Sequence, residues 1–128
     1  MESQTISIPP IVLRWSDWTA WHDLGADARS EIDVPLPGRE PGVYEVRRAD
    51  AEERLTIGRA SNLRRRVRRG LVKGKLPHSA GARIWQNEDL TGLLVRWAVT
   101  DRPAAVEEEL HKQHVEKFGR LPKYTDHT

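Results

Sequence analysis

The segment from Leu93 to Val99 carries its large apolar residues at alternate positions. Because successive side chains of a β-strand point to opposite faces, this alternation predicts a strand with one buried face. Two shorter runs, 43–47 and 55–57, predict two further strands, and the polar residues 49–53 between them predict an antiparallel hairpin. The chain is therefore expected to build a three-stranded antiparallel sheet.

Helical spacing follows the hairpin. Leu63, Val67 and Leu71 recur every four residues, which predicts one apolar stripe with Arg65, Arg68 and Arg69 turned to solvent and Arg66 flanking the stripe. The candidate helix-capping residues for this and two later helices are Ser61, Ser79 and Asp101. Pro103 is tolerated in the first turn of the last helix, and Gly119 is a natural stop.

The order of elements is strand, strand, helix, short helix, strand, helix. It predicts an α+β domain in which helices flank the small sheet. We assign this domain to residues 41–128 and a loop-rich extension, packed on the domain, to residues 1–40. Trp15, Trp18 and Trp21 recur every three residues within the extension, which predicts a short helical turn laying aromatic rings on the core.

Length and composition exclude several classes. The 128 residues suffice for one core, and no apolar run approaches the roughly 18–20 residues that span a bilayer. The N-terminus lacks the basic start and apolar stretch of a secretory signal. The chain contains no cysteine, which excludes disulfides, cysteine nucleophiles and cysteine-bound zinc. We therefore expect a cytoplasmic protein that does not engage membranes.

The charge is unevenly distributed along the chain. Residues 54–87 hold ten basic residues and no acidic one, whereas residues 1–53 hold five basic and eleven acidic residues. A strongly cationic segment is typical of a polyanion site, most often one for nucleic acid. The alternative is a solvated surface whose counter-charges come from the flanking segments.

The last helix sets one carboxylate apart from its neighbours. At about 100° per residue, Glu107, His111 and His114 fall within the arc defined by the apolar residues Val106, Leu110, Val115 and Phe118, while Glu109 and Glu116 point outward. An inward carboxylate must be paired, neutralised or metal-bound. Three explanations stay open. Glu107 has a functional role, or it pairs with an arginine or lies at a solvent-exposed edge of the sheet, or it binds zinc together with His111.

Several of these residues together resemble the GIY-YIG nuclease superfamily. The residues on which this resemblance rests are Gly42-Val43-Tyr44, Thr56-Ile57-Gly58, Arg66 eight residues after Gly58, and Glu107. His78 resembles the histidine of the homing-endonuclease branch, and Leu121-Pro122-Lys123-Tyr124 resembles the closing motif of the family. The resemblance spans about residues 41–125.

The resemblance implies a divalent-metal-dependent endonuclease that hydrolyses phosphodiester bonds in nucleic acid, with DNA the expected substrate. Glu107 would hold Mg²⁺ or Mn²⁺, since one carboxylate with waters and substrate phosphate can suffice for magnesium. Arg66 would clamp the scissile phosphate, and Tyr44 and His78 are the candidates to orient or deprotonate the attacking water. The expected nucleic-acid contacts are Arg59, Arg64, Arg65, Arg68, Arg69, Lys73, Lys75 and Arg83. A homodimer or a protein partner could supply specificity.

The chain departs from the family pattern at three positions. Thr56 stands where the family has a tyrosine, Thr125 replaces the closing asparagine, and Gly70 stands where some homing enzymes have a second histidine. A catalytically weakened or inactive nucleic-acid-binding module is therefore the alternative function. A domain whose arginines pair with acidic protein surfaces is a third.

Overall fold

A computed structural model describes residues 5, 10–24, 36–72 and 79–125. The described chain is α+β, as predicted. Its strands are β1 (Thr19–Ala20), β2 (Gly42–Arg48), β3 (Arg54–Ala60) and β4 (Leu93–Val99). Its helices are α1 (Trp21–Leu24), α2 (Leu63–Arg65), a π-helical segment (Arg66–Val72), α3 (Ala80–Asn87) and α4 (Pro103–Phe118). Within these residues, no helix is long and apolar enough to cross a membrane.

The sheet has four strands, so the prediction of three was wrong. The order is β1-β4-β2-β3, and every neighbouring pair is antiparallel. The added strand is β1, whose Thr19 and Ala20 pair with Val95 and Leu94 of β4. Two residues are too few to show an alternating pattern, which is why the sequence did not reveal this strand.

The sheet separates two apolar clusters. The larger contains Tyr44, Val46 and Trp97 on one face, covered by α1, by the Leu63–Val67–Leu71 stripe and by α3. Burial of this stripe confirms the helical prediction. The smaller cluster joins Val43 and Ala98 on the other face to Val106 of α4.

The tryptophan-rich segment does not form the continuous helical turn that its spacing predicted. Only Trp21 lies in α1, where it is buried in the larger cluster. Trp15 and Trp18 precede it without helical structure, and both rings lie against the Arg96 guanidinium, at 4.1 and 4.6 Å. Ser16 exchanges two hydrogen bonds with the Trp97 backbone. These bonds and cation–π contacts hold the segment along β4 and prevent it from coiling earlier.

Two predicted N-caps are displaced by one residue. Asn62, not Ser61, caps α2 by accepting a hydrogen bond from the Arg65 backbone N–H. Arg102, not Asp101, occupies the N-cap position of α4. Helix α2 begins late because β3 continues to Ala60. The predicted Ser79 cap of α3 and the Gly119 stop of α4 are both confirmed.

The π-helical segment changes which arginines face solvent. Arg68 is buried, at 5% exposure, so its predicted outward position was wrong. A π-helix bonds residue i to i+5 and widens the turn, so two adjacent residues can face the core where an α-helix presents one. Leu71 and Val72 are accordingly both buried, and Arg68 is buried beside Val67.

Candidate active site

The hairpin brings Tyr44 directly opposite Gly58. The two residues are register partners on β2 and β3, and the tyrosine is buried. A side chain at position 58 would overlap the phenol ring and hydroxyl of Tyr44. Gly58 therefore allows the Tyr44 ring to lie directly against the β3 backbone, in space that any side chain at position 58 would occupy.

Helix α4 packs most closely against β3 and directs Glu107 inward. Glu107 and His114 are buried, as the helical arithmetic predicted, and Glu109 and Glu116 are exposed. Val115, predicted to be inward, is instead 41% exposed. The reason is that α4 lies against the β3 side of the sheet and buries a narrower stripe than the arc assumed for it.

An open cavity of about 830 Å³ joins the hairpin, the helix that follows it and the start of α4. Three of the predicted catalytic residues line it together: Tyr44, Arg66 and Glu107. They come from β2, the π-helical segment and α4, so the fold assembles them from distant parts of the chain. Thr56 is buried opposite Val46 and is not among the lining residues. We call this space the site cavity.

Arg59 supplies a counter-charge close to Glu107. Its Nε lies 3.8 Å from Oε1 of Glu107, and its side chain is about half exposed. This pairing matches the explanation that an inward Glu107 meets an arginine, and it places that pair in a wall of the site cavity. Arg59 therefore gives the buried Glu107 carboxylate a partner of opposite charge.

The start of α4 adds positive character to the same cavity. Residues 101–105 line it, with Arg102 at the N-cap and Pro103 in the first turn. The first backbone N–H groups of a helix lack intrahelical partners and carry partial positive charge. Within the described part of the chain, the Arg102 side chain makes no capping hydrogen bond. The lining also holds two carboxylates, Asp101 and Glu107, against the three arginines Arg59, Arg66 and Arg102. With the helix end, the positive groups outnumber the negative ones, which favours an anion in the cavity.

Glu107 fits a magnesium site of the type that relies on one carboxylate, water and substrate phosphate. It is a buried carboxylate in a wall of an open, anion-accepting cavity. Among the described residues, no group of three or more His, Asp or Glu could enclose a metal. The Nε2 of His111 donates to the Ile57 carbonyl at 3.0 Å. Within the described residues, the Glu107–His111 zinc pair lacks a third His, Asp or Glu ligand.

The predicted nucleic-acid contacts lie at different places in the structure, and some of them make hydrogen bonds within the fold. Arg59 and Arg66 line the site cavity. Arg64 and Arg83 act as ties within the fold: Arg64 donates to the Leu36 and Pro37 carbonyls, and Arg83 donates to the Thr125 carbonyl. The predictions for Lys73, Lys75 and His78 lie outside the described residues.

The remaining predicted contacts, Arg65, Arg68 and Arg69, line a second concavity of about 620 Å³. We call it the arginine groove, and its lining residues are Gly38, Arg39, Asn62, Arg64, Arg65, Arg68 and Arg69. Arg39, Arg65 and Arg69 are exposed, whereas Arg68 is buried in its wall. The two hydrogen bonds of Arg64 hold the segment that carries Arg39 against the helix.

The closing motif forms an ionic cluster around the buried carboxylate of Glu88. The Glu88 carboxylate accepts hydrogen bonds from Tyr124 at 2.5 Å, from Lys123 at 2.9 Å and from Arg48. Burial by itself raises the pKa of this carboxyl, but the donated hydrogen bonds outweigh burial and lower the pKa from 4.5 to about 2. This motif therefore anchors the C-terminal segment to the end of α3 and to β2.

Sequence reasoning missed three participants. Asp101 was considered only as a helix cap and Arg102 was not singled out, yet both line the site cavity. Arg39 was assigned to the extension, yet it lines the arginine groove. Pro103, in the first turn of α4, was the sequence signal for where this helix begins. No sequence signal indicates which surface Arg39 meets.

Comparison with family models, curated proteins and solved structures finds no match to this chain. The functional inference therefore rests on the side chains of the chain itself.

Proposed function

We propose that the chain is a divalent-metal-dependent endonuclease of the GIY-YIG type, acting on phosphodiester bonds of nucleic acid with DNA as its substrate. The observation that carries this proposal is the convergence of Tyr44, Arg66 and Glu107 on one cavity. Their sequence spacing suggested the resemblance without any knowledge of their proximity.

Hydrolysis of a phosphodiester needs an oriented water and neutralisation of charge on the phosphoryl oxygens. Arg66 can donate two parallel hydrogen bonds to the scissile phosphate through its planar guanidinium. Arg59 and the first turn of α4 supply further positive potential in the same cavity. The hydroxyl oxygen of Tyr44 can accept a hydrogen bond from the attacking water and so orient it. The water oxygen then forms the new P–O bond as the bond to the leaving oxygen breaks. The proton that the water loses ends on that leaving oxygen, which departs as an alcohol.

Glu107 would hold the metal, which when bound supplies Lewis-acid stabilisation of the developing negative charge. The side chain starts in contact with Arg59, at 3.8 Å. The arginine is half exposed, so it can turn toward the phosphate when Glu107 changes partner. The cavity thus holds one residue for the metal and at least two for the phosphate.

A nicking assay tests the proposal. Supercoiled plasmid and a labelled branched duplex are incubated with protein and Mg²⁺ or Mn²⁺, with a chelator as one control. Glu107→Gln should abolish product, because it removes the carboxylate, whereas Glu109→Gln should retain it because Glu109 is exposed on the same helix. Product that is insensitive to both Glu107→Gln and the chelator contradicts the proposal.

The second candidate function is a nucleic-acid-binding module with weakened or lost catalysis. The observation that favours it is Thr56, which is buried and contributes no hydroxyl to the described lining of the site cavity. This candidate predicts salt-sensitive binding of nucleic acid and no nicking with any metal. Glu107-dependent product in the nicking assay would exclude it.

A further inference from the structure

The arginine groove concentrates one sign of charge. Five of its seven lining residues are arginines, contributed by the segment around Arg39 and by the helix after β3. None of the described residues that line it is acidic. Like charges held close together repel, and a concave wall focuses their field, so such a groove attracts an anion.

The chemistry of the lining indicates what kind of anion. Guanidinium groups match the geometry of phosphate oxygens, with two parallel hydrogen bonds from one side chain. Binding of single-stranded nucleic acid relies in addition on aromatic rings that stack on the bases. The described lining contains arginines, an asparagine and a glycine and no aromatic residue. It therefore suits the phosphate backbone of a duplex rather than exposed bases.

The groove is separate from the site cavity but adjoins it through one helix. Arg65 and Arg69 line the groove, and Arg66 lines the cavity. Residues 65, 66 and 69 belong to one helical stretch. A single DNA strand could therefore contact both sites through phosphates a few nucleotides apart.

We infer that the arginine groove is a second phosphate-binding surface, which holds the backbone of duplex DNA a few nucleotides from the phosphate in the site cavity. This inference rests on the proposed function, because it assigns the groove to the same substrate. DNA binding by the arginine groove would be independent of base sequence, because contacts to phosphate position a protein on DNA whereas contacts to bases read the sequence.

The test measures binding of a fluorescein-labelled DNA duplex to the full chain by anisotropy, in chelator and over a series of salt concentrations. The groove variant combines Arg39→Gln, Arg65→Gln and Arg69→Gln. All three side chains are exposed, so the fold should persist, and a thermal melt checks this. The matched variant removes the same charge from exposed positions elsewhere: Arg14→Gln, Lys112→Gln and Lys117→Gln.

The groove variant should bind more weakly, and its plot of log affinity against log salt should become shallower by up to about 2.7, at about 0.9 per lost phosphate contact. The matched variant should change the slope far less. Equal changes in the two variants would overturn the inference, since they would show a general charge effect. Displacement of the duplex by polyglutamate as readily as by unlabelled duplex would overturn DNA as the occupant.

The nicking assay keeps this inference distinct from the proposed function. Groove-dependent binding without metal-dependent product would refute the nuclease and leave the groove in place. Metal-dependent product with an unchanged salt slope in the groove variant would refute the groove alone. Absence of duplex binding by the unmodified chain would refute the groove.

Discussion

Replacing Glu88 with glutamine should destabilise the fold in a pH-dependent way. The ionised carboxylate is 6% exposed and joins Arg48 of β2 to Lys123 and Tyr124 of the C-terminal segment. Glutamine preserves the size of the side chain but removes its charge. Hydrogen bonds to a charged acceptor are stronger than those to a neutral one, so the substitution should weaken all three contacts.

The magnitude follows from the lowered pKa of Glu88. A decrease from 4.5 to about 2 corresponds to about 3 kcal/mol of stabilisation of the charged form. Water screens part of this, because the Lys123 side chain is 61% exposed and that of Arg48 is 32% exposed. We therefore expect Glu88→Gln to lower the free energy of unfolding at neutral pH by about 1–2 kcal/mol.

The sign of the pH dependence is fixed by the direction of the shift. A carboxyl whose pKa is lowered by folding stabilises the fold above its ordinary pKa, and this stabilisation is lost as the pH falls through the folded-state value. The difference between the unmodified chain and Glu88→Gln should therefore be largest above about pH 5 and should shrink toward pH 2.

Urea denaturation followed by circular dichroism measures the free energy of unfolding across this pH range. Glu116→Gln, on the exposed face of α4, is the control for loss of a negative charge. A Glu88→Gln effect that is the same at neutral and at acidic pH would refute the electrostatic reasoning. It would show that packing, rather than charge, makes the contribution.

Two further substitutions test the sheet. Gly58→Ala should lower stability by about 1–3 kcal/mol, because the new side chain would overlap Tyr44, and it should reduce any nicking activity; a urea midpoint unchanged from that of the parent chain would contradict this. Glu45→Ala should lower the free energy of unfolding by about 2–3 kcal/mol, because it removes the carboxylate that both Arg54 and Arg96 contact. This value is somewhat below the cost of breaking a fully buried ion pair. The same denaturation series checks this value, and a loss below about 0.5 kcal/mol would show that the pairing is screened as at a surface.

The long strands were predictable because they satisfy a local rule. Residues 93–99 alternate in polarity, and the structure forms β4 over that range. The hairpin was predictable for a similar reason, since two apolar runs flank a polar turn. Strand β1 was not predictable, because Thr19 and Ala20 become a strand only through pairing with β4. That pairing depends on contacts distant in sequence, which no local pattern records.

The candidate site shows the same division. The inward position of Glu107 followed from helical geometry alone, because α4 is regular over sixteen residues. The burial of Arg68 did not follow, because the segment around it is π-helical and departs from the assumed period. Arg39 lies in the groove because Arg64 donates hydrogen bonds to the carbonyls of the nearby residues Leu36 and Pro37. Sequence periodicity does not predict such long-range hydrogen bonds.

The register of the hairpin determines the geometry of the candidate site. Pairing is regular from Gly42 with Ala60 to Val46 with Thr56, and the one irregularity between these strands lies beyond it, next to Arg47. A slip of one residue would turn every side chain of β3 to the opposite face and would place a bulky residue against Tyr44. Because the irregularity lies toward the turn, changes in the length of that turn can be absorbed there. The other end of the hairpin, which leads into the helix that carries Arg66, then keeps its pairing. Tyr44, Arg66 and Glu107 consequently remain together in the site cavity.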